Sequence, residues 1–282
     1  MGDWKLLVDE VDFGEGPRWR DGTLWYSDFH QRAVYRVTPD GERTAVYDGL
    51  DDRPSGIGWL PDGTFLVVFM TSQRVMCDRG DGRLVEYADL SSIATHHCND
   101  MIVDRHGNAY VGNFGFDLEA LASFEPADLA LVRPDGSVAV AAPDMAFPNG
   151  AVITPDESTL IVGESFGGDY IAFTMHPDGT LTERRQWAEV PGTAPDGCTL
   201  DAAGGIWFSD ALGSQVVRVE EGGNVTDRVD TPMPTFACML GGDDGRTLFA
   251  LCSPGSHPDE CAGKSAGAIY TRTVEHAHAG RP

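Results

Sequence analysis

The chain has 282 residues, enough for one large domain or two small ones with a sizeable core. It sets 20 Lys plus Arg against 44 Asp plus Glu, a formal charge of −24. Such a surface repels nucleic acid and anionic membrane, so neither is expected as a partner, and a cation or a neutral small molecule is left.

Met1–Glu10 carries acids where a secretory signal needs a basic and then an apolar stretch. Phe65–Met70 and Ile102–Val111 fall well short of the roughly 18 apolar residues of a membrane helix. A cytoplasmic protein, monomeric or weakly homo-oligomeric, is the expectation. Six cysteines form no C-x-x-C pair and no zinc spacing, which suits reduced, buried thiols. A Cys252–Cys261 pair across a loop stays open.

Along the chain, short β-branched and aromatic runs alternate with turn signals, the pattern of an all-β protein. Leu24-Trp-Tyr-Ser-Asp, after Asp21-Gly22, lies over Ile206-Trp-Phe-Ser-Asp, after Gly204-Gly205. Comparable units open near Pro54, Asn99, Asn149 and Thr235, with first turns at Asp62-Gly63, His106-Gly107, Pro155–Glu157 and Asp243–Gly245. The turns recur roughly every 40–50 residues, the period of a four-stranded propeller blade. No long stretch shows convincing helical periodicity; Asp117–Leu131, in a connection, is the best candidate for a helix. The sixth unit stops at Ile269–Val274, one strand short, and Lys5–Val11 is expected to supply that strand and close the ring. The reading is a single six-bladed β-propeller domain over residues 1–274, with a disordered tail at 275–282. A two-sheet sandwich would leave the repeated turn phase unexplained.

In a propeller, one phase of the repeat points to one end of the central channel. About eight residues before the first turns stand Glu15, Ser55, Asn99, Asn149, Asp196 and the Thr235-Phe236 pair. Four of the six are carboxylates or amides. Converging, Glu15, Asn99, Asn149 and Asp196 make a hard-cation site, suited to calcium, with magnesium or manganese as alternatives. Singly, P-N-G, P-D-G and P-S-G are ordinary turn chemistry. Their shared phase, and Glu15 not being a turn residue, favour the site.

Gly14-Glu-Gly-Pro, Asn99-Asp-Met-Ile-Val-Asp-Arg-His-Gly-Asn-Ala-Tyr, Pro148-Asn-Gly and Pro195-Asp-Gly-Cys-Thr-Leu-Asp, in this order and spacing, resemble the gluconolactonase, regucalcin and senescence-marker-protein family of six-bladed propellers. The resemblance implies a metal-dependent opening of lactones, with calcium foremost and manganese, magnesium or zinc as alternatives. By the same likeness Glu15, Asn149 and Asp196 match the metal ligands, and Asn99 lies beside the metal and contacts substrate. Sugar lactonases of the family commonly carry an arginine two residues before the Asn-Asp pair. Here that position is His97. The substrate is therefore expected to be less polyhydroxylated than gluconolactone, against an apolar rim from Gly112–Leu118, with Phe114 in it, and from Met70, Phe147 and Phe166.

A divalent cation polarises a lactone carbonyl and acidifies water, and a base must stand within reach. Asp196 leads as ligand and base together. His97 is second, with its unperturbed pKa of about 6.5, and is also readable as a hydrogen-bonded loop residue. Cys98 and Cys198, beside site positions, read as core thiols. Gly163-Glu-Ser-Phe-Gly matches a serine-nucleophile pattern in letters, but no helix follows it. Asp28 and Asp210, recurring at the ends of second strands, read as blade-shaping residues, and Glu164 as no more than a support near the channel mouth. Alternative functions are action on another ester, a phosphotriester or a carbonyl substrate, or calcium or ligand binding without turnover.

Overall fold

Short polar turns set the local geometry. Asp62, Asp104, Asp156, Asp201 and Asp244 each accept a main-chain N–H two residues on, at 2.8–3.1 Å. These side chains reverse the chain between the first and second strands of five units. The other unit turns through Asp21 and Gly22, both at positive φ (50° and 74°), the geometry that keeps a two-residue hairpin in step with strand twist.

The computed structural model describes residues 3–282. It is a six-bladed β-propeller of six four-stranded antiparallel sheets. Blade 1 runs outward as Gly14–Arg20, Thr23–Asp28, Ala33–Val37 and Arg43–Tyr47. The inner strands of blades 2 to 6 are Pro54–Trp59, Cys98–Val103, Pro148–Ile153, Pro195–Leu200 and Thr235–Gly241. Lys5–Val11 pairs antiparallel with Gly267–Thr273 as the outer strand of blade 6, so the ring closes on the expected strand. That strand buries Val8 and Val11 between blades 6 and 1, each worth about 1.5–3 kcal/mol.

The alternating strand pattern places a separate apolar cluster between each pair of neighbouring blades. A seventh cluster lies elsewhere, at one end of the channel, where Phe13, Phe29, Met70, Phe114, Phe147 and Phe236 meet. Blades 1, 2, 3, 4 and 6 supply its buried aromatic and methionine side chains, so the channel mouth has an aromatic collar.

Two expectations are corrected. Asp117–Leu131 is not a helix: residues 118–121 form a turn and Ala127–Val132 is the third strand of blade 3. The periodicity came from apolar side chains at the channel mouth followed by a buried strand. The residues 275–282, expected as a disordered tail, are held by main-chain bonds across blades 6, 5 and 4. His278 N–H donates to Gly245 O at 2.9 Å, Ala279 N–H to Leu200 O at 2.9 Å, and Arg281 exchanges bonds with Ile153 at 2.9 and 3.0 Å. The backbone, not an apolar pattern, holds this segment, which is why its composition gave no sign. The Cys252–Cys261 pairing is absent, and all six cysteines are free and buried. Among the described residues no helix is long and apolar enough to cross a membrane.

Candidate active site

Each inner strand carries one extra residue near its start. In blade 1 the register steps from Glu15↔Ser27 to Arg18↔Trp25; in blade 3 from Cys98↔Asn113 to Met101↔Val111. Blades 2, 4 and 5 repeat the step after Pro54, Pro148 and Pro195, and blade 6 after Thr235. A bulge re-aims the side chain it carries. Glu15, Ser55, Asn99, Asn149, Asp196 and Phe236 sit at these bulges, one per blade, and this is the physical content of their shared phase in the sequence.

The residue after each is Gly16, Gly56, Asp100, Gly150, Gly197 or Ala237. Neighbouring inner strands approach so closely here that a Cβ at Gly56 would stand 2.2 Å from Met101 N, and one at Gly150 would stand 2.4 Å from Asp196 O. Ala237 and Asp100 are the two that carry a Cβ, and Asp100 alone is charged. Its carboxylate takes Arg18 Nη2 at 2.9 Å, both side chains being buried in the channel.

Above this pair opens a cleft of about 710 Å³. Glu15, Asn99, Asn149 and Asp196 line it together, with Met70, Phe114, Phe147 and Phe166 in its walls. The expected metal residues, substrate amide and apolar wall thus share one cavity. Both carboxylates are strongly perturbed. Burial, then the charges of Asp196 and Asp100, push Glu15 well above the usual carboxylate range. Burial pushes Asp196 up to about 8, against the hydrogen bonds from Asn149 and the Gly197 N–H.

The nearby cations are engaged elsewhere, Arg18 on Asp100 and Arg53 on Glu119. Two buried carboxylates without a cationic partner, joined by an amide, fit a hard divalent cation. Among the described residues no three His, Cys, Asp or Glu side chains gather as a metal cluster; the side chain beside the two carboxylates is the Asn149 amide. Its amide donates to Ser165 Oγ at 3.1 Å, and that hydroxyl donates to Pro195 O at 2.6 Å. One serine thus ties the strand of Asn149 to that of Asp196. Ser165→Ala is expected to weaken calcium binding roughly tenfold by calorimetry, with the melting temperature of the metal-free protein little changed; Ser165→Thr should restore it.

His97 is not among the side chains lining the cleft. Its ring lies behind Phe114, at 5.8 Å between centroids, with Nε2 3.4 Å from Arg53 Nη2. Burial, then Arg53, lower its pKa. Arg53 lines the cleft itself, and the sequence reading missed it. It stands one residue before an inner strand, the phase of Phe13, His97 and Phe147, so reading one further phase of the repeat finds it. Asp28 accepts N–H groups from Asp12, Phe13, His30 and Gln31, and Asp210 from Ala194 and Leu212, as blade-shaping residues do. Glu164 is their counterpart in blade 4, bonded by the Ala146 N–H at 2.8 Å. Burial pushes Cys98 up to about 12 and Cys198 well above the usual thiol range, so neither is a thiolate nucleophile.

A family profile described as SMP-30/Gluconolactonase/LRE-like region matches residues 13–253. The chain belongs to this family. It is 28% identical to a pentonolactonase of Haloferax volcanii over 99% of this chain and 96% of that one. An L-arabinolactonase of Azospirillum brasilense is 27% identical, over 98% and 93%. The crystal structure of regucalcin from Agrobacterium tumefaciens, titled a calcium-binding protein, superposes with a TM-score of 0.82 at 22% identity, covering 99% and 96%. That likeness extends the shared fold to both ends of the chain.

Proposed function

We propose that this chain opens a lactone by hydrolysis, as a gluconolactonase-like carboxylic ester hydrolase, with a divalent cation, calcium foremost, held by Glu15, Asn149 and Asp196. The observation that carries it is the pair of buried, cation-free carboxylates on the floor of an aromatic-walled cleft. The curated relatives, named for pentono- and arabinolactone, point to the same reaction class.

The bound cation supplies polarisation of the carbonyl and a lowered pKa for water. Asp196 takes the proton of the attacking water at a carboxylate oxygen as the new C–O bond forms. The ring C–O bond then breaks, and the leaving alkoxide recovers that proton, giving a hydroxy acid. Asn99 holds the substrate, with its amide in the cleft beside the carboxylates. Phe114 stacks on Phe147 at 4.6 Å and offers the lactone an apolar face. This wall favours a ring with fewer hydroxyls than gluconolactone. His97, outside the cleft lining, leaves the base role to Asp196.

The test is proton release from aldono-, aliphatic and aromatic lactones, with chelator and then with calcium or manganese restored. Turnover abolished by chelator and regained with metal is the expected result. No turnover on any lactone by metal-loaded protein would overturn the reading.

A further inference from the structure

Arg53 is the only arginine or lysine lining the cleft. Its backbone is fixed: Asp52 accepts the N–H groups of Arg53, Thr71 and Ser72, and Met70 N–H donates to Arg53 O at 2.9 Å. Its side chain is 18% exposed and forms an ion pair with Glu119, on the turn that follows the Phe114–Phe116 segment. Nη2 reaches His97 Nε2 at 3.4 Å. A neutral imidazole can accept there, and burial and Arg53 itself keep His97 neutral at pH 7.

Arg53 and Glu119 also wall a second cavity of about 890 Å³, lined mainly by residues of blades 1 and 2. The pair is therefore a partition with an open face on the cleft. A guanidinium has five N–H donors, and Glu119 and His97 take two. Beside it stands a carboxylate acceptor. Donor and acceptor side by side match a hydroxyl, which both donates and accepts. The negative charge of Glu119 disfavours an anionic group at the same point. Phe13, Phe29, Met70, Phe114 and Phe147 make much of the surrounding wall, so a guanidinium beside a carboxylate is a place where the cleft can distinguish a hydroxylated ring from a bare one.

We infer that Arg53 is the specificity-determining residue of the cleft, reading a ring hydroxyl of the lactone together with Glu119, and that His97 is a positioning residue that holds the guanidinium. The inference rests on the lactonase reading and deepens it. The ring bound here has a single hydroxylated edge, against Arg53 and Glu119, and an apolar face against Phe114 and Phe147.

The test compares α-hydroxy-γ-butyrolactone with γ-butyrolactone, which differ by one hydroxyl. Arg53→Ala is expected to raise KM for the hydroxylated ring by roughly ten- to hundredfold, the worth of a hydrogen bond to a charged group. Its kcat should change little, and KM for the bare ring should stay put. Arg53→Lys keeps the charge without the planar fork and should fall between, which guards against misfolding of the alanine variant. His97→Ala should reproduce the KM effect in weaker form, and His97→Gln, which keeps an acceptor toward Arg53, should reverse it. Equal losses on both lactones, or an unchanged preference, would overturn the inference while leaving lactone hydrolysis standing.

If the wild type opens neither ring, the wider lactone panel decides the lactonase reading, and calorimetry with the open-chain acids 2,4-dihydroxybutyrate and 4-hydroxybutyrate decides the role of Arg53 alone. Selective loss of the dihydroxy acid in Arg53→Ala supports it. Equal binding of both acids by wild type and variant refutes it.

Discussion

Asp196→Asn is expected to lower lactone turnover by about a thousandfold, within the 10²–10⁴ typical of a removed general base, while the propeller stays folded. Asparagine has nearly the same volume and keeps an oxygen for the cation, so the loss that persists at saturating calcium falls on proton transfer. A second consequence separates this site from an ordinary surface carboxylate. In the metal-free protein Asp196 holds its proton up to about pH 8, chiefly because it is buried. Below the unfolded-state value of about 4 both states are protonated, and the site costs nothing. Above it the unfolded chain ionises while the folded one keeps its proton. Stability therefore falls as pH rises from about 4 to 8, by up to about 1.4 kcal/mol per pH unit for one full proton. Thermal melts in chelator should show the wild type losing stability over that window, and Asp196→Asn losing less. Turnover above a tenth of wild type in the variant would remove Asp196 from the base role.

The blade repeat was legible because it rests on local chemistry. Asx turns and alternating strands need only a few consecutive residues, so Asp62, Asp156 and Asp201 announce their turns without knowledge of the whole. Ring closure by Lys5–Val11 followed from counting strands. The site residues were legible for a different reason: Glu15, Asn149 and Asp196 recur at one phase, and the bulge at that phase is repeated in every blade.

What stayed hidden depends on contacts between blades. Arg53 and His97 are 44 residues apart, and nothing local says that a guanidinium from blade 2 lies over an imidazole from blade 3. The residues 275–282 have no pattern because their backbone is held by other blades. Glu164 looked like a site neighbour until its partner, the Ala146 N–H, showed it to be the blade-4 version of Asp28. Side chains whose partners are main-chain atoms of distant segments leave no periodic trace.

Arg18→Leu is expected to destabilise the metal-free protein by about 3–5 kcal/mol, the usual cost of removing one partner from a buried pair. Arg18 is held between Asp100 and the carbonyls of Pro17 and Met101. Without it the buried Asp100 carboxylate loses its ion-pair partner, and Asp100 already bears on Glu15 and Asp196. Three carboxylates would then share one end of the channel with no counter-charge from the protein. A ligand that binds only the folded state stabilises by about 2.7 kcal/mol at a hundred times its Kd, and a divalent cation here would also relieve the added repulsion. Calcium should therefore raise the melting temperature of Arg18→Leu by more than that of wild type. The double variant Arg18→Leu/Asp100→Leu removes the orphaned charge along with its partner and should regain most of the lost stability. Thermal melts of the three proteins, with chelator and with calcium, check both points. A single variant as stable as wild type would mean that solvent or movement relieves Asp100; a calcium shift no larger than in wild type would mean that Asp100 does not act on the cation site.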